Sequence, residues 1–250
     1  MNNPFSLENK NIIVTGASSG IGRQTAVACA KMGANVVLIA RNTEKLQETL
    51  HLMQNTENHK VIGFDVSDFE NIGKTIDEIV REKGKINGFV HCAGMELTVP
   101  FIAMKAAHYK EIFNVNTIAA FEFVRHISKK KYAADKLSLV LISSIAAHCG
   151  QAGLAAYSMS KSALTGGIKS LAVELAPKSI RINTIEPGWV LGTNMTQKYD
   201  NENNAPDKSL YPLGYGQTAD VANACVYLLS NAAQWVTGTN LIVDGGYSAK

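Results

Sequence analysis

Short runs of Val, Ile and Leu without polar interruption, such as Val36-Val37-Leu38-Ile39 and Leu139-Val140-Leu141-Ile142, recur along this chain between longer segments of helical period. A strand with no polar face has to be covered on both sides, as happens when helices pack against both faces of a parallel sheet. Strands are expected at Asn11–Thr15, Asn35–Ala40, Lys60–Phe64, Asn87–His91, Leu137–Ser143, Ile180–Ile185 and Asn240–Val243. Helices are expected over 20–32, 43–55, 69–83, 105–133, 155–176 and 218–231. The repeated β-then-α order calls for right-handed crossovers, hence an α/β protein built on a doubly wound parallel sheet of seven strands. With 250 residues and no break in composition, the whole chain, 1–250, is read as a single domain. Ligands of such sheets bind beyond the carboxyl ends of the strands, and the polar clusters of this sequence fall there.

The segment from Trp189 to Tyr211 fits no regular element. It leaves a strand end through Pro187-Gly188 and contains Asn-Glu-Asn-Asn. It reads as a substrate lid around 189–212, with a disordered stretch as the alternative. A formal charge of +3 argues for neither nucleic acid nor an anionic membrane as partner. No apolar run reaches spanning length and the N-terminus carries no signal core, so a soluble, cytoplasmic protein is expected. Cys29, Cys92, Cys149 and Cys225 form no CxxC pair and read as reduced thiols. Neighbours on a strand point to opposite faces, so His91-Cys92 and His148-Cys149 are no chelates, and no metal site is expected.

The first strand runs into Gly16-Ala17-Ser18-Ser19-Gly20-Ile21-Gly22 and then a helix. Glycines at such a turn let the backbone approach a pyrophosphate, which the free N–H groups and positive dipole of the helix start then hold. Downstream, Tyr157 and Lys161 stand four residues apart on one helix face, with Ser144 thirteen residues before Tyr157 at the end of a buried strand and Asn116 farther upstream. Together, in this order and approximate spacing, these features resemble the short-chain dehydrogenase/reductase family along essentially the whole chain. Ala93-Gly94, Asn183, Pro187-Gly188 and Val243-Asp244-Gly245-Gly246 match further landmarks of that family. His91-Cys92 replaces the two asparagines of its Asn-Asn-Ala-Gly stretch.

The resemblance implies a Rossmann-type dinucleotide site and an Asn116-Ser144-Tyr157-Lys161 catalytic tetrad. A phenol can protonate the alkoxide left by hydride transfer to a ketone, and a nearby ammonium would lower its pKa from about 10. Ser144 would hydrogen-bond the carbonyl oxygen. The resemblance further implies that Lys161 holds the nicotinamide ribose, that Asn116 holds a water linking Lys161 to solvent, that Asp65-Val66 contacts the adenine, and that Thr193 lies near the nicotinamide amide. At the end of the second strand Ala40 stands where an acid would accept the ribose hydroxyls of NAD, and Arg41-Asn42 follow. A guanidinium there pairs a 2′-phosphate, so NADP is the expected cofactor, with NAD the alternative. The activity expected is interconversion of a ketone and a secondary alcohol, with a 3-oxoacyl thioester as leading substrate and a free small alcohol, sugar or cyclic ketone as alternative. Val173-Glu174 lacks the arginine many acyl carrier protein reductases place before that glutamate, and Lys129-Lys130-Lys131 reads as a solvated helix end sooner than as a carrier-protein patch. Relatives pair their long helices, so a homotetramer or homodimer is expected, with Ala155-Ala156, Ala163 and Gly166-Gly167 available for close helix contact.

Overall fold

A computed structural model describes residues 3–197 and 205–249. Its elements run β1 (Asn11–Thr15), α1 (Gly20–Lys31), β2 (Asn35–Ala40), α2 (Thr43–His51), β3 (Lys60–Gly63), α3 (Phe69–Lys83), β4 (Ile86–His91), α4 (Ala106–Phe113), α5 (Ala119–Ile127), β5 (Ala133–Ile142), α6 (Ala155–Leu175) and β6 (Ile180–Pro187). After these come β7 (Val190–Leu191), α7 (Asn194–Gln197), β8 (Gly216–Gln217), α8 (Thr218–Leu229) and β9 (Asn240–Val243). Seven strands form one parallel sheet in the order β3-β2-β1-β4-β5-β6-β9, and β7 pairs with β8 in a separate ladder.

Alternate residues of each central strand feed two cores. Ile13, Phe89, Leu139 and Leu141 point to the side covered by α3, α5 and α6, where Phe89 and Phe123 stack with ring centroids 5.4 Å apart. Ile12, Val14, Val90 and Val140 point to the side covered by α1 and α8, among Ala26, Val221 and Leu229. Both faces being dry is the reason these strands read as unbroken apolar runs.

The expected helix over 105–133 is interrupted. Between α4 and α5, residues Asn114–Ile118 form a π-helical turn, in which the Ala119 N–H bonds back to the Asn114 carbonyl. After Ile127 the chain turns, and Ala133 already pairs with Ile86 at the start of β5, earlier than the Leu137 expected. Tyr132 fixes that turn by donating its hydroxyl to Asp77 (2.6 Å), and Lys131 pairs with the same carboxylate at 3.3 Å. Local helix propensity there yields to the pairing of Ala133 with the sheet. The segment over 189–212, expected to hold no regular element, contains β7, α7 and a short 3₁₀ turn at Lys208–Leu210. Residues 198–204 of that segment lie outside the described residues.

His91, which replaces a family asparagine, is fully buried and bridges three pieces of chain. Its Nδ1 lies 3.1 Å from Thr15 Oγ1 and its Nε2 lies 3.2 Å from the Val115 carbonyl. Because a carbonyl only accepts, Nε2 carries the proton and Nδ1 accepts from Thr15. Thr15 in turn accepts from the Ala93 N–H at 3.3 Å. The imidazole thus ties β1 and the end of β4 to the π-helical turn.

Burial, reinforced by the charge of Lys161, holds the His91 pKa down at about 3, against about 6.5 when unfolded. The folded state therefore carries His91 neutral. The stability this contributes is present above pH 6.5 and is lost as pH falls toward 3. Denaturant titration from pH 7 to pH 4 should show wild type losing stability with about one proton of extra uptake relative to His91→Asn. Parallel curves for the two proteins would show that His91 does not set the acid limit.

Candidate active site

The carboxyl ends of β1, β2, β4, β5 and β6 open into a cleft of about 1080 Å³. Every residue assigned from sequence to cofactor or chemistry lines it except Asn116, which lies buried directly behind.

Close backbone approach decides the glycine-rich end. Gly16 has φ +67°, and a Cβ there would lie 2.7 Å from the Ala93 nitrogen. A Cβ on Gly22 would fall 2.2 Å from the Gly16 carbonyl oxygen. Only hydrogen fits at either place, so the turn lies against β4 and against the first turn of α1, with backbone facing the cleft. Ser18 accepts from Arg23 through its carbonyl (2.8 Å), and Ser19 Oγ accepts from Asn194 Nδ2 (3.2 Å). Thr193 sits over Gly20, where a Cβ would come within 3.4 Å of it. Thr193 and Asn194 therefore join the segment after β6 to the glycine-rich turn.

At the β2 end, Arg41 is exposed at the cleft margin and Asn42 accepts the Lys45 N–H (2.8 Å) as cap of α2. The Asn42 side chain is thereby committed to the helix start. Lys45, which lines the same end, is a second cation that the sequence reading did not single out. Asp65 accepts from both the N–H and the hydroxyl of Ser67 (2.9 and 2.7 Å). Those bonds, with a smaller contribution from the Arg41 charge, hold its carboxyl below the usual range. Val66 is buried beside it.

Toward the chemistry, the two adjacent serines divide their work. Ser143 is buried and donates to the Lys161 carbonyl (3.0 Å), whereas Ser144 lines the cleft with its hydroxyl on Tyr157. Lys161 Nζ donates to the Ile142 carbonyl (2.8 Å) and stands 5.8 Å from the Tyr157 ring centre. A side chain at Gly94 would come within 3.4 Å of both Lys161 Nζ and Asn116 Oδ1, so only a small residue leaves this corner open. The Asn116 side chain is fully engaged: it donates to Met95 O (2.9 Å) and Ser160 Oγ (3.0 Å) and accepts from Met95 N (2.8 Å). Pro187 and Gly188 form the wall at the end of β6, with a Gly188 Cβ position 2.8 Å from Asp244 Cα. Asn183 is buried and bonds Val236 O and Thr239 N, which is a structural employment.

The expectation that Lys161 lowers the Tyr157 pKa is not met in this geometry. Burial pushes the phenol up to about 12, opposed by the Ser144 hydroxyl and reinforced by the charge of Glu96. The same burial lowers Lys161 to about 8. Desolvation, which penalises each charged form, is the largest influence on both groups.

Sequence reasoning also missed Glu186. It is completely buried near the end of β6, and its side-chain partner is His148 (Nε2–Oε2 2.7 Å), in the loop that follows Ser144. No other hydrogen-bond donor reaches the carboxylate among the described residues. A lone Glu before Pro-Gly carried no signal, because its burial comes from the pairing of β6 with β5 and β9.

The profile of a protein family described as enoyl-(acyl carrier protein) reductase matches residues 16–248. A 3-oxoacyl-(acyl carrier protein) reductase of Aquifex aeolicus is 31% identical over 245 residues, covering 97% of this chain and 98% of that protein. A D-threitol dehydrogenase of Mycolicibacterium smegmatis is 30% identical over 248 residues, covering 98% and 95%. The crystal structure of a short-chain type dehydrogenase/reductase from Mycobacterium marinum superposes with a TM-score of 0.88 at 27% identity, covering 99% and 98%.

Burial raises the Glu186 carboxyl above its ordinary value, with His148 and Lys169 acting the other way. A raised folded pKa means the contribution to stability is full below the unfolded value of about 4.5 and is lost as pH rises through the folded one. Glu186→Gln should therefore gain in melting temperature relative to wild type as pH goes from 4 to 8, by on the order of 2–4 °C. A difference that stays constant across this range would mean that the glutamate is ionised at no cost.

Proposed function

The chain belongs to the short-chain dehydrogenase/reductase family, and we propose that it is an NADP(H)-dependent oxidoreductase that interconverts a ketone and a secondary alcohol. The observation that carries this reading is the convergence of Ser144, Tyr157 and Lys161 at one end of a cleft whose other end is a backbone-lined glycine turn flanked by Arg41 and Lys45. The residues present fit a dinucleotide. Gly16 and Gly22 pack so closely on Ala93 and on each other that the turn presents backbone to the cleft, as a pyrophosphate requires, and the two cations line the other margin of that end. Gly16, Ser18, Ser19, Gly20, Ile21 and Gly22 would hold the phosphates. Arg41 and Lys45 would hold a 2′-phosphate, Asp65 and Val66 the adenine, and Ala93, Gly94, Pro187, Gly188 and Thr193 the nicotinamide half. When bound, the nicotinamide supplies or accepts the hydride.

The chain's own groups do the proton chemistry. Ser144 Oγ donates to the substrate carbonyl oxygen and stabilises the charge that develops there. Tyr157, protonated throughout the neutral range, gives its proton to that oxygen in reduction and must lose it first in oxidation. Lys161 lies close enough for its cation to stabilise the phenolate during transfer. Asn116 positions the Met95 backbone against the cleft through its paired bonds to that residue.

The relatives' names span an acyl carrier protein thioester and a four-carbon polyol. Lys131 is engaged by Asp77 and by the Tyr132 ring (4.3 Å), and Val173 stands exposed on α6, an arrangement that favours a free small substrate over a docked carrier protein. A homodimer or homotetramer formed through the outer faces of α5 and α6 accompanies this reading. Gly166 is open there, whereas the space at Gly167 is taken by Phe121 of the same chain, 2.5 Å from a Cβ position. No helix among the described residues is long and apolar enough to cross a membrane, and a cytoplasmic location is part of the proposal.

Tyr157→Phe should lower turnover at least about 100-fold while leaving dinucleotide affinity nearly unchanged, since the hydroxyl serves proton transfer. For wild type, reduction should be flat below pH 8 and fall above it as Lys161 discharges, whereas oxidation should rise with pH. Turnover of the Phe variant within tenfold of wild type would refute the assignment. Arg41→Ala should weaken NADPH binding by about 10- to 150-fold and leave NADH binding little changed, as a charge-assisted contact predicts. Titration showing wild type binding NADH as tightly as NADPH would remove Arg41 from the site.

A further inference from the structure

Glu186 is completely buried, yet the proton chemistry assigned above makes no use of it. An aliphatic residue would fill its place on β6, and a buried carboxyl costs stability unless a polar group meets it. The group that meets it is His148, whose Nε2 lies 2.7 Å from Oε2 while the ring stays half-exposed. Lys169 on α6 also acts on the carboxylate through its charge, although its Nζ donates to Gly238 O (2.7 Å).

The chain leaves β5 through Ser143, whose N–H donates to Ile185 O on β6 (2.8 Å) and whose hydroxyl donates to Lys161 O (3.0 Å). Ser144 then caps a 3₁₀ turn over Ile145–Ala147, accepting the Ala146 N–H at its Oγ (3.1 Å). The N–H groups of His148 and Cys149 both return to Ile145 O (2.9 and 2.8 Å), so residues 144–149 form one tight unit. Ser162 of α6 donates to Ala147 O (2.9 Å), and His148 meets Glu186. Ser143 and His148 thus attach the two ends of the unit to consecutive residues of β6, Ile185 and Glu186. Pro187 and Gly188, which wall the cleft, follow at once.

Resting on the oxidoreductase reading above, we propose that Glu186 and His148 are positioning residues, whose contact clamps the 144–149 unit to β6 and so directs the Ser144 hydroxyl at the substrate oxygen. A hydroxyl has one proton and two lone pairs. The Ala146 N–H occupies one lone pair, so the lie of the turn sets where the proton points. Tyr157 meets the same hydroxyl, and a displaced turn changes the phenol's surroundings as well. Displacing such a group by about 1 Å costs on the order of 100-fold in rate, because orientation is lost and affinity is not. Loss of the clamp therefore falls on kcat and spares dinucleotide binding. A neutral imidazole donates through Nε2–H, for which an amide oxygen also serves as acceptor. Glu186→Gln accordingly keeps the clamp, whereas Glu186→Met, similar in length but without an acceptor, releases it.

The test compares full-length wild type with His148→Ala, Glu186→Met, Glu186→Gln and the double variant His148→Ala with Glu186→Met. Turnover is read with acetoacetyl-CoA and NADPH and with D-threitol and NADP⁺, and dinucleotide affinity by NADPH fluorescence. A third measurement needs no substrate: the rate at which iodoacetamide alkylates Cys149, the last residue of the unit, resolved by peptide mass spectrometry against the buried Cys29 and Cys225. His148→Ala and Glu186→Met should each lower kcat by about tenfold or more, with KM and NADPH affinity changed less than about threefold. The double variant should be no worse than either single one, since both remove the same contact. Glu186→Gln should stay within about threefold of wild type. Cys149 should react faster in the two releasing variants while Cys29 and Cys225 stay protected. Unchanged kcat in both releasing variants, losses that multiply in the double variant, or a Glu186→Gln as poor as Glu186→Met would overturn the clamp. Equal unmasking of Cys29 and Cys225 would show general loosening and overturn it too. Wild type that binds NADPH but turns over neither probe would count against the oxidoreductase reading. The cysteines then decide the clamp alone: faster Cys149 alkylation in His148→Ala and Glu186→Met but not in Glu186→Gln upholds it, and any other pattern overturns it.

Discussion

The cleft exists because five parallel strands end side by side with their polar ends uncovered. Parallel pairing of β1 with β2 and β4, and of β5 with β4 and β6, aligns Gly16, Arg41, Ala93, Ser144 and Pro187 along one edge, although up to 171 positions separate them. The dry faces on both sides of the sheet fix the register, since a one-residue slip would turn core residues such as Ile13 and Phe89 toward the wrong layer. Function then occupies the places where the core stops.

Close packing has an electrostatic consequence at that edge. Tyr157, Lys161, His91 and Glu186 all lie within or beside the layer where strands hand over to loops, and burial pushes each toward its neutral form. For His91 the neutral form is the one the architecture needs, because one nitrogen must accept from Thr15 while the other donates to Val115. For Tyr157 the neutral phenol is a proton donor ready for reduction. The reverse direction has to overcome the desolvation that made it so. The charges at the cleft's two ends differ in kind, with Arg41 and Lys45 exposed to solvent at one and Glu96 close to the reacting groups at the other.

Much of this was legible from residue order. The strands that read as unbroken apolar runs are the buried ones, and the glycine turn sits where its spacing after β1 implied. The interval from Ser144 to Tyr157 separated the cleft-facing serine from Ser143, which the structure commits to the Lys161 carbonyl. Asn42 was less legible, because whether an asparagine after a strand meets a ligand or caps the next helix depends on where that helix starts. The helix expected over 105–133 failed for a similar reason: periodicity cannot report a π-helical turn, nor the pull of Ala133 into the sheet opposite Ile86.

Local chemistry alone determined the layered α/β architecture, the backbone-lined turn and the pairing of a phenol with an ammonium four residues away, because each depends on short-range periodicity or on a steric property of one residue type. Tertiary structure decided everything that depends on distant residues sharing a volume. It placed Lys45 beside Arg41, set His148 on the buried Glu186, joined Tyr211 to Tyr247 across the C-terminal turn, and pushed the phenol's pKa up where sequence had suggested it would fall. Burial is a property of the whole fold, and desolvation acts on a charge more strongly than a neighbour four residues along the same helix.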